Sequence, residues 1–210
     1  MTNVFATPEK VTRRDRLFQI GIETLQQEGW KVEKIPGLGK SSVRRITKGG
    51  NSRKVSIRTS QDTWIAFPRN KQDNGWITLS DVDVVLAVSV DDHDDPKFAQ
   101  VHMIEGDEMR QRFDRAYAAR NAAGYNIPLG RGVWVSLYDP DATDPVTHVG
   151  GGAGLDHAPI ARISLEPEES NSDDADNDNR DRPLTIAEAK RRLAMTLGVD
   201  PSSIKITVEA

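Results

Sequence analysis

One run of apolar residues constrains the fold of this chain more than any other feature of its sequence. Residues 82–90 read VDVVLAVSV and are apolar at all but two positions. The run is too short to span a membrane, and its β-branched side chains favour a strand that is covered on both faces. We therefore predict that it forms a central, buried strand of a sheet.

Weaker patterns predict the elements around this strand. Helical spacing of apolar residues covers 12–28, with Thr12 as the N-cap, and a second helix is predicted over 106–123. Short alternating or apolar runs predict strands at 30–35, 42–47, 54–59, 63–68, 98–104, 133–137 and 158–165. The turns between 42 and 68 predict a meander of antiparallel hairpins, with Phe67 in the core. The predicted fold class is α/β, or α+β, with a central mixed sheet flanked by helices.

The acidic segment 166–182 sets the predicted domain limits. It holds eight acids and two arginines without any large apolar residue, a composition that favours a disordered linker. Residues 1–165 then form the main domain, and residues 183–210 form a small helix–strand appendage. The appendage is too short to hold a core alone, so we expect it to dock on the main body, on a second copy of the chain or on a partner protein.

The charge of the chain is unevenly distributed. Residues 1–71 hold 15 Lys and Arg against 6 Asp and Glu, whereas the remaining residues hold 13 against 26. A basic segment of this kind indicates contact with nucleic acid or another polyanion. The absence of cysteine excludes disulfides, thiolate zinc sites and a cysteine nucleophile. Without a membrane-spanning run or the apolar core of a signal peptide, we expect a cytoplasmic protein that does not contact a membrane.

Three segments, taken in order, resemble the core of a known nuclease superfamily. They are KVSIRTSQDTWIAF at 54–67, VDVVLAVSVDD at 82–92 and FAQVHMIEGDEMRQRF at 98–113. This arrangement is similar to the PD-(D/E)xK, or restriction-endonuclease-like, superfamily, and the similarity extends over residues 12–120. It implies a restriction-endonuclease-like sheet that contacts nucleic acid, with metal-dependent cleavage as the family's activity.

The family's catalytic motif is degenerate in this chain. Under the resemblance, Ser56 and Arg58 stand where the family has an acid and a lysine, and the upstream strand at 41–45 has no acid. Ser56 provides no charged metal ligand, and Arg58 does not release its proton near neutral pH. The resemblance therefore implies a centre that binds without a metal or other cofactor. The residues predicted to bind nucleic acid are Lys40, Arg44, Arg45, Lys48, Arg53, Lys54, Arg58 and Trp64.

These observations predict a non-enzymatic nucleic-acid-binding protein with DNA as its ligand. An accessory role in DNA processing or phage defence is implied by the resemblance alone. A first alternative is an active nuclease that binds Mg²⁺ through migrated ligands, with Asp81, Asp83, Asp95 and Lys97 as its catalytic residues. A second alternative is an adaptor whose basic face meets an acidic protein.

Several other features have simpler interpretations. The aspartates at 91–95 lack the spacing of a calcium loop and suit a turn, and the residues at 148–157 lack the lysine of a phosphate loop and suit a mobile surface loop. The aromatic residues near the basic segment suit either a place in the core or base stacking, and the sequence does not decide between these two roles for Trp76. The four arginines of the second helix suit ordinary surface pairs with neighbouring acids, namely Arg110, Arg112, Arg115 and Arg120.

Overall fold

The structure is a computed structural model that describes residues 7–35 and 42–166, together with a few positions between 190 and 205. The chain divides into two units, 1–168 and 169–210. Lys40, almost all of the predicted linker and most of the predicted appendage lie outside the described residues. The predictions for those segments stay predictions.

The first unit alternates short strands with two long helices. Its elements are α1 (Pro8–Gln27), β1 (Lys31–Lys34), β2 (Val43–Lys48), β3 (Asn51–Ser60), β4 (Trp64–Pro68), β5 (Val84–Val90), β6 (Phe98–Glu105), α2 (Gly106–Ala122), β7 (Gly132–Ser136), α3 (Ala153–Asp156) and β8 (Ala161–Ser164). Each strand and each long helix that the sequence predicts for this unit is present close to its predicted bounds.

A six-stranded mixed sheet forms the centre of this unit. Its strand order is β1-β2-β3-β5-β6-β8, in which β3 and β5 run parallel and the other neighbours run antiparallel. Every residue of β5 is buried, which confirms the predicted central strand. Helix α1 packs on one face of the sheet and α2 packs on the other. The fold is therefore α+β, with a central mixed sheet flanked by helices as predicted.

Helix α1 begins earlier than predicted. Thr7 is its N-cap, since the Thr7 hydroxyl accepts the backbone N–H of Lys10 at 3.3 Å, and Pro8 occupies the first turn. The prediction of Thr12 as the cap is wrong, because Thr12 lies inside the helix and donates its hydroxyl hydrogen to the Pro8 carbonyl. The extra turn places Lys10 on the helix.

The predicted hairpin meander is wrong at its last strand. Strands β2 and β3 form an antiparallel hairpin, but β4 leaves this sheet and pairs with β7 in a separate two-stranded ribbon. Strand β5 pairs with β3 instead, because burial on both faces stabilises the apolar side chains of β5 more than it would stabilise those of β4. Phe67 of β4 is buried as predicted and packs edge-to-face on Phe113 of α2, with ring centroids 5.1 Å apart.

The prediction of a surface loop at 148–157 is wrong for the glycine-rich part of that segment. Gly150 to Gly154 are buried. At Gly150, where φ is +82°, a Cβ atom would lie 2.4 Å from the Arg112 carbonyl oxygen. Glycine is needed there because only a residue without a side chain allows the two backbones to approach so closely.

The arginines of α2 differ from one another in role. Arg115 lies at the surface as expected, but its acidic partner is Asp141 at 2.8 Å, which lies outside the helix. Arg112 and Arg120 are buried instead, so the surface interpretation is wrong for them. Arg120 donates to the carbonyls of Trp134 at 2.7 Å and Thr147 at 3.0 Å, and this fixes β7 against the helix.

Candidate functional site

A groove lies beside the C-terminal end of β3, between the first turns of α1 and the β4–β7 ribbon. Its largest part, of about 470 Å³, is lined by both of these elements. Smaller hollows of about 390 and 200 Å³ share lining residues with it and with each other, so the three form one surface. We call this surface the β3 groove and define it by Lys10, Arg13, Arg14, Arg58, Trp64 and Trp134.

Arg58 is the most unusual residue of the β3 groove. Its guanidinium lies 4.2 Å from the centroid of the Phe67 ring, and its Nε is buried without a hydrogen-bond partner. Within the described ranges, no carboxylate forms an ion pair with it. Burial lowers the pKa of Arg58 to about 10, so the side chain keeps its charge at neutral pH. Buried charges are normally paired, because an isolated one loses hydration without compensation.

Three further cations enter the groove from one side of α1. Lys10, Arg13 and Arg14 are three and four residues apart, a spacing that places them on the same helix face. Arg13 lies 3.3 Å from Glu9, and Arg14 lies 2.8 Å from Asp15. Both pairs are exposed, and such pairs contribute little to stability. These arginines are therefore available to a ligand at small cost.

Of the sequence-predicted residues that the structure describes, two line the groove, namely Arg58 and Trp64. The side chain of Arg44 lies on the face of the sheet opposite to that of Arg58. Its guanidinium stacks on the Phe18 ring at 5.3 Å and donates to the Val43 carbonyl. Burial lowers the pKa of Arg44, as it does for Arg58.

The other predicted cations of β2 and β3 lie apart from the groove. Lys48 donates to the Glu28 carbonyl. Arg53 bonds to the Glu105 carboxylate. Arg45 and Lys54 face each other across the hairpin and are exposed. The predicted cationic set is thus divided between both faces and the far end of the hairpin.

Trp134 and the cations of α1 belong to the groove but were not predicted from the sequence. Trp134 alternates with Val133 and Val135, both buried, and its own side chain is 51% exposed. This alternation was a usable signal, since a tryptophan out of phase with the buried positions must face outwards. The α1 cations carried no comparable signal, because only the packing of α1 on the sheet brings them to the groove.

The ligands of the alternative nuclease site lie far apart. Asp81 and Asp83 precede β5, whereas Asp95 and Lys97 follow it, so seven strand residues, or about 20 Å, separate the two groups. Asp83 accepts the Lys54 backbone N–H at 2.7 Å, and Lys97 pairs with Asp95 at 3.1 Å. Across the described part of the chain, no group of three or more His, Cys, Asp or Glu residues is arranged to hold a metal ion.

The aspartates at 91–95 form a hydrogen-bonded turn. Asp91 accepts the backbone N–H groups of Lys97 and Phe98 at 3.1 and 3.0 Å, and Asp92 accepts those of Asp94 and Asp95. Burial alone would raise the pKa of Asp91, but these donors hold it below its ordinary value. The donors at Asp95 and Asp94 likewise lower the pKa of Asp92. The carboxylates therefore stabilise the turn, as the sequence predicts.

A second cluster of titratable groups lies inside the unit. His102 is fully buried, and its Nδ1 and Nε2 lie 2.8 Å from the His157 carbonyl and 3.1 Å from the Tyr138 hydroxyl. Burial lowers the pKa of His102 and raises that of Tyr138 to about 12. His157 lies 2.7 Å from the Glu108 carboxylate of α2. These contacts connect β6, α2 and the segment after β7, so the cluster stabilises the fold.

His102 predicts a pH dependence of stability. Because its pKa is lowered in the folded protein, the unfolded chain binds a proton first as the pH falls. The free energy of unfolding should be highest above about pH 6.5 and should decline as the pH falls towards about 5. Urea unfolding across this range measures the effect, and His102→Gln, which stays neutral, should flatten it. An unchanged pH profile in that variant would contradict the assignment.

Comparisons with known proteins give no relative. No protein-family model, curated protein or solved structure matches the chain. No helix within the described residues is both long and apolar enough to cross a membrane. The functional conclusion therefore depends on the β3 groove itself.

Proposed function

We propose that this protein binds nucleic acid, with DNA as its ligand, through the β3 groove. The observation that carries the proposal is Arg58, a cation with a buried Nε that has neither a hydrogen-bond partner nor an acidic partner in the described residues. A phosphate in the groove would supply the missing negative charge, and two of its oxygens could accept N–H groups from the part of the planar guanidinium that lines the groove.

The surroundings of Arg58 favour an extended polyanion over a single small anion. Lys10, Arg13 and Arg14 continue the positive charge along the groove, away from Arg58. Contacts to successive phosphates give affinity that is independent of base sequence and sensitive to salt. The groove therefore suits a nucleic-acid backbone.

Binding without cleavage remains our interpretation of the degenerate motif. Ser56, at the position that the resemblance assigns to an acid, is buried and brings no charge for a metal. The resemblance to a nuclease core, the accessory role in DNA processing or phage defence and the cytoplasmic location stay predictions.

Titration with salt tests the proposal. Fluorescence anisotropy of labelled single- and double-stranded DNA should show a log–log slope of about −0.7 to −0.9 per phosphate contact. The triple variant Lys10→Glu, Arg13→Glu and Arg14→Glu should bind more weakly and with a shallower slope, because contacts that release counterions are lost.

A matched triple variant controls for net charge. Lys31→Glu, Lys34→Glu and Lys71→Glu change the charge by the same amount at exposed positions outside the groove, and binding should remain close to wild type. Equal loss in both triple variants would contradict a localised site. Absence of binding to any DNA at micromolar protein and low salt would refute the proposed function.

A further inference from the structure

The outer face of the β4–β7 ribbon carries two tryptophans at the groove. In the ladder, Ala66 lies opposite Trp134, and Trp64 is two residues from Ala66 on the same strand. The inner face of the ribbon packs in the core through Ile65 and Phe67 of β4 and through Val133 and Val135 opposite them on β7. Strand alternation therefore turns Trp64, Ala66 and Trp134 outwards together.

Trp134 is an exposed tryptophan whose side chain forms no hydrogen bond within the described residues. Its side chain is 51% exposed in the middle of a strand, whereas Trp76 is buried and donates its Nε1–H to Asp114 at 2.8 Å. The backbone of Trp134 is nevertheless fixed, since its carbonyl accepts a hydrogen bond from the buried Arg120 at 2.7 Å. An exposed aromatic ring on a fixed backbone is typical of a binding surface.

The spacing of the two tryptophans suits a flat ligand. They are diagonal neighbours across the ladder, and such positions are about 7–8 Å apart. Every base has a π-face, so two neighbouring aromatic rings on one surface can stack with an unpaired base. Ala66 lies between them and is small, and the hollow of about 200 Å³ at this point is lined by both tryptophans and by Arg58.

We propose that the β3 groove binds single-stranded nucleic acid, with an unpaired base between Trp64 and Trp134 and its phosphates on Arg58 and the α1 cations. This inference rests on the proposed function and goes beyond it by naming the strand state of the ligand. A duplex keeps its bases stacked inside, so it would offer the cations its phosphates but leave the two tryptophans without a partner.

Competition between strand states tests the inference. Anisotropy with labelled oligothymidylate and with a duplex of equal length should show at least about tenfold tighter binding of the single strand. Trp134→Ala and Trp64→Ala should each weaken single-strand binding about tenfold to a hundredfold and should weaken duplex binding by a much smaller factor. Oligothymidylate should also quench the tryptophan fluorescence of the wild type more than that of Trp134→Phe.

Tyr125→Ala is the matched control, because Tyr125 is an aromatic residue of equal exposure, 50%, outside the groove. It should bind both ligands as the wild type does, and thermal melting checks that each variant is folded. Equal affinity for duplex and single strand, or single-strand binding that Trp134→Ala leaves intact, would overturn the inference while the proposed function stands. Failure to bind either ligand would overturn both.

Discussion

Arg58→Met is expected to weaken DNA binding by about tenfold or more and to leave the protein at least as stable as the wild type. A hydrogen bond to a charged group contributes about 1.5–3 kcal/mol, which is roughly tenfold to a hundredfold in affinity. Methionine has a similar length and stacks well on an aromatic ring, so it should keep the contact with Phe67. Anisotropy measures the first effect, and urea unfolding measures the second.

The combination of both effects separates a ligand-binding role from a structural one. If Arg58 stabilised the fold, its removal would lower the free energy of unfolding, as is usual for a buried residue. Its buried Nε has no partner in the described ranges, so removing the charge relieves a desolvation cost instead. Arg45→Met is the matched control, since Arg45 is an exposed arginine of the neighbouring strand and should change neither quantity much. An Arg58→Met protein that binds DNA normally, or that is clearly destabilised, would contradict our assignment.

Much of the sheet was predictable from local patterns. The run at 84–90 is apolar on both faces, so its central position followed from its composition. The alternation in β3 and the spacing in α1 fixed their types, and turn residues marked their ends. Local patterns do not determine which strands pair with each other. Strand β4 pairs with β7, which follows it by more than sixty residues, and nothing within β4 distinguishes this pairing from a hairpin with β3.

The site was less predictable than the fold, for a related reason. Arg58, Arg44 and Arg45 were all predicted through the family resemblance, but of the three only Arg58 lines the groove. Strand alternation places Arg44 on the α1 face of the sheet and Arg45 on the other. The groove cations Lys10 and Arg13 belong to a helix distant from β3 in the chain, and tertiary packing alone brings them together with Arg58.

Arg112→Met should have the opposite effect on stability from Arg58→Met, and a larger one. Arg112 is as buried as a core residue, and its guanidinium bonds to Glu108, to Asp156 and to the Gly151 carbonyl. Burial alone would lower the pKa of Arg112, but its two carboxylate partners raise it. Removing Arg112 leaves the buried Gly151 carbonyl without its donor, whereas Asp156 is largely exposed and Glu108 keeps its contact with His157, so we expect a cost of about 1–3 kcal/mol. We expect a loss of this size in urea unfolding at neutral pH.

Arg115, a neighbour of Arg112 on α2, provides the matched control. Arg115 also bonds to a carboxylate, that of Asp141 at 2.8 Å, but it does so at the surface. Arg115→Met should therefore cost less than about 1 kcal/mol. Similar losses in the two variants would show that the buried network contributes no more than a surface pair. Arg58 and Arg112 differ chiefly in whether the described part of the chain supplies their counter-charge. Opposite signs in unfolding are the result we expect if a ligand supplies the counter-charge of Arg58.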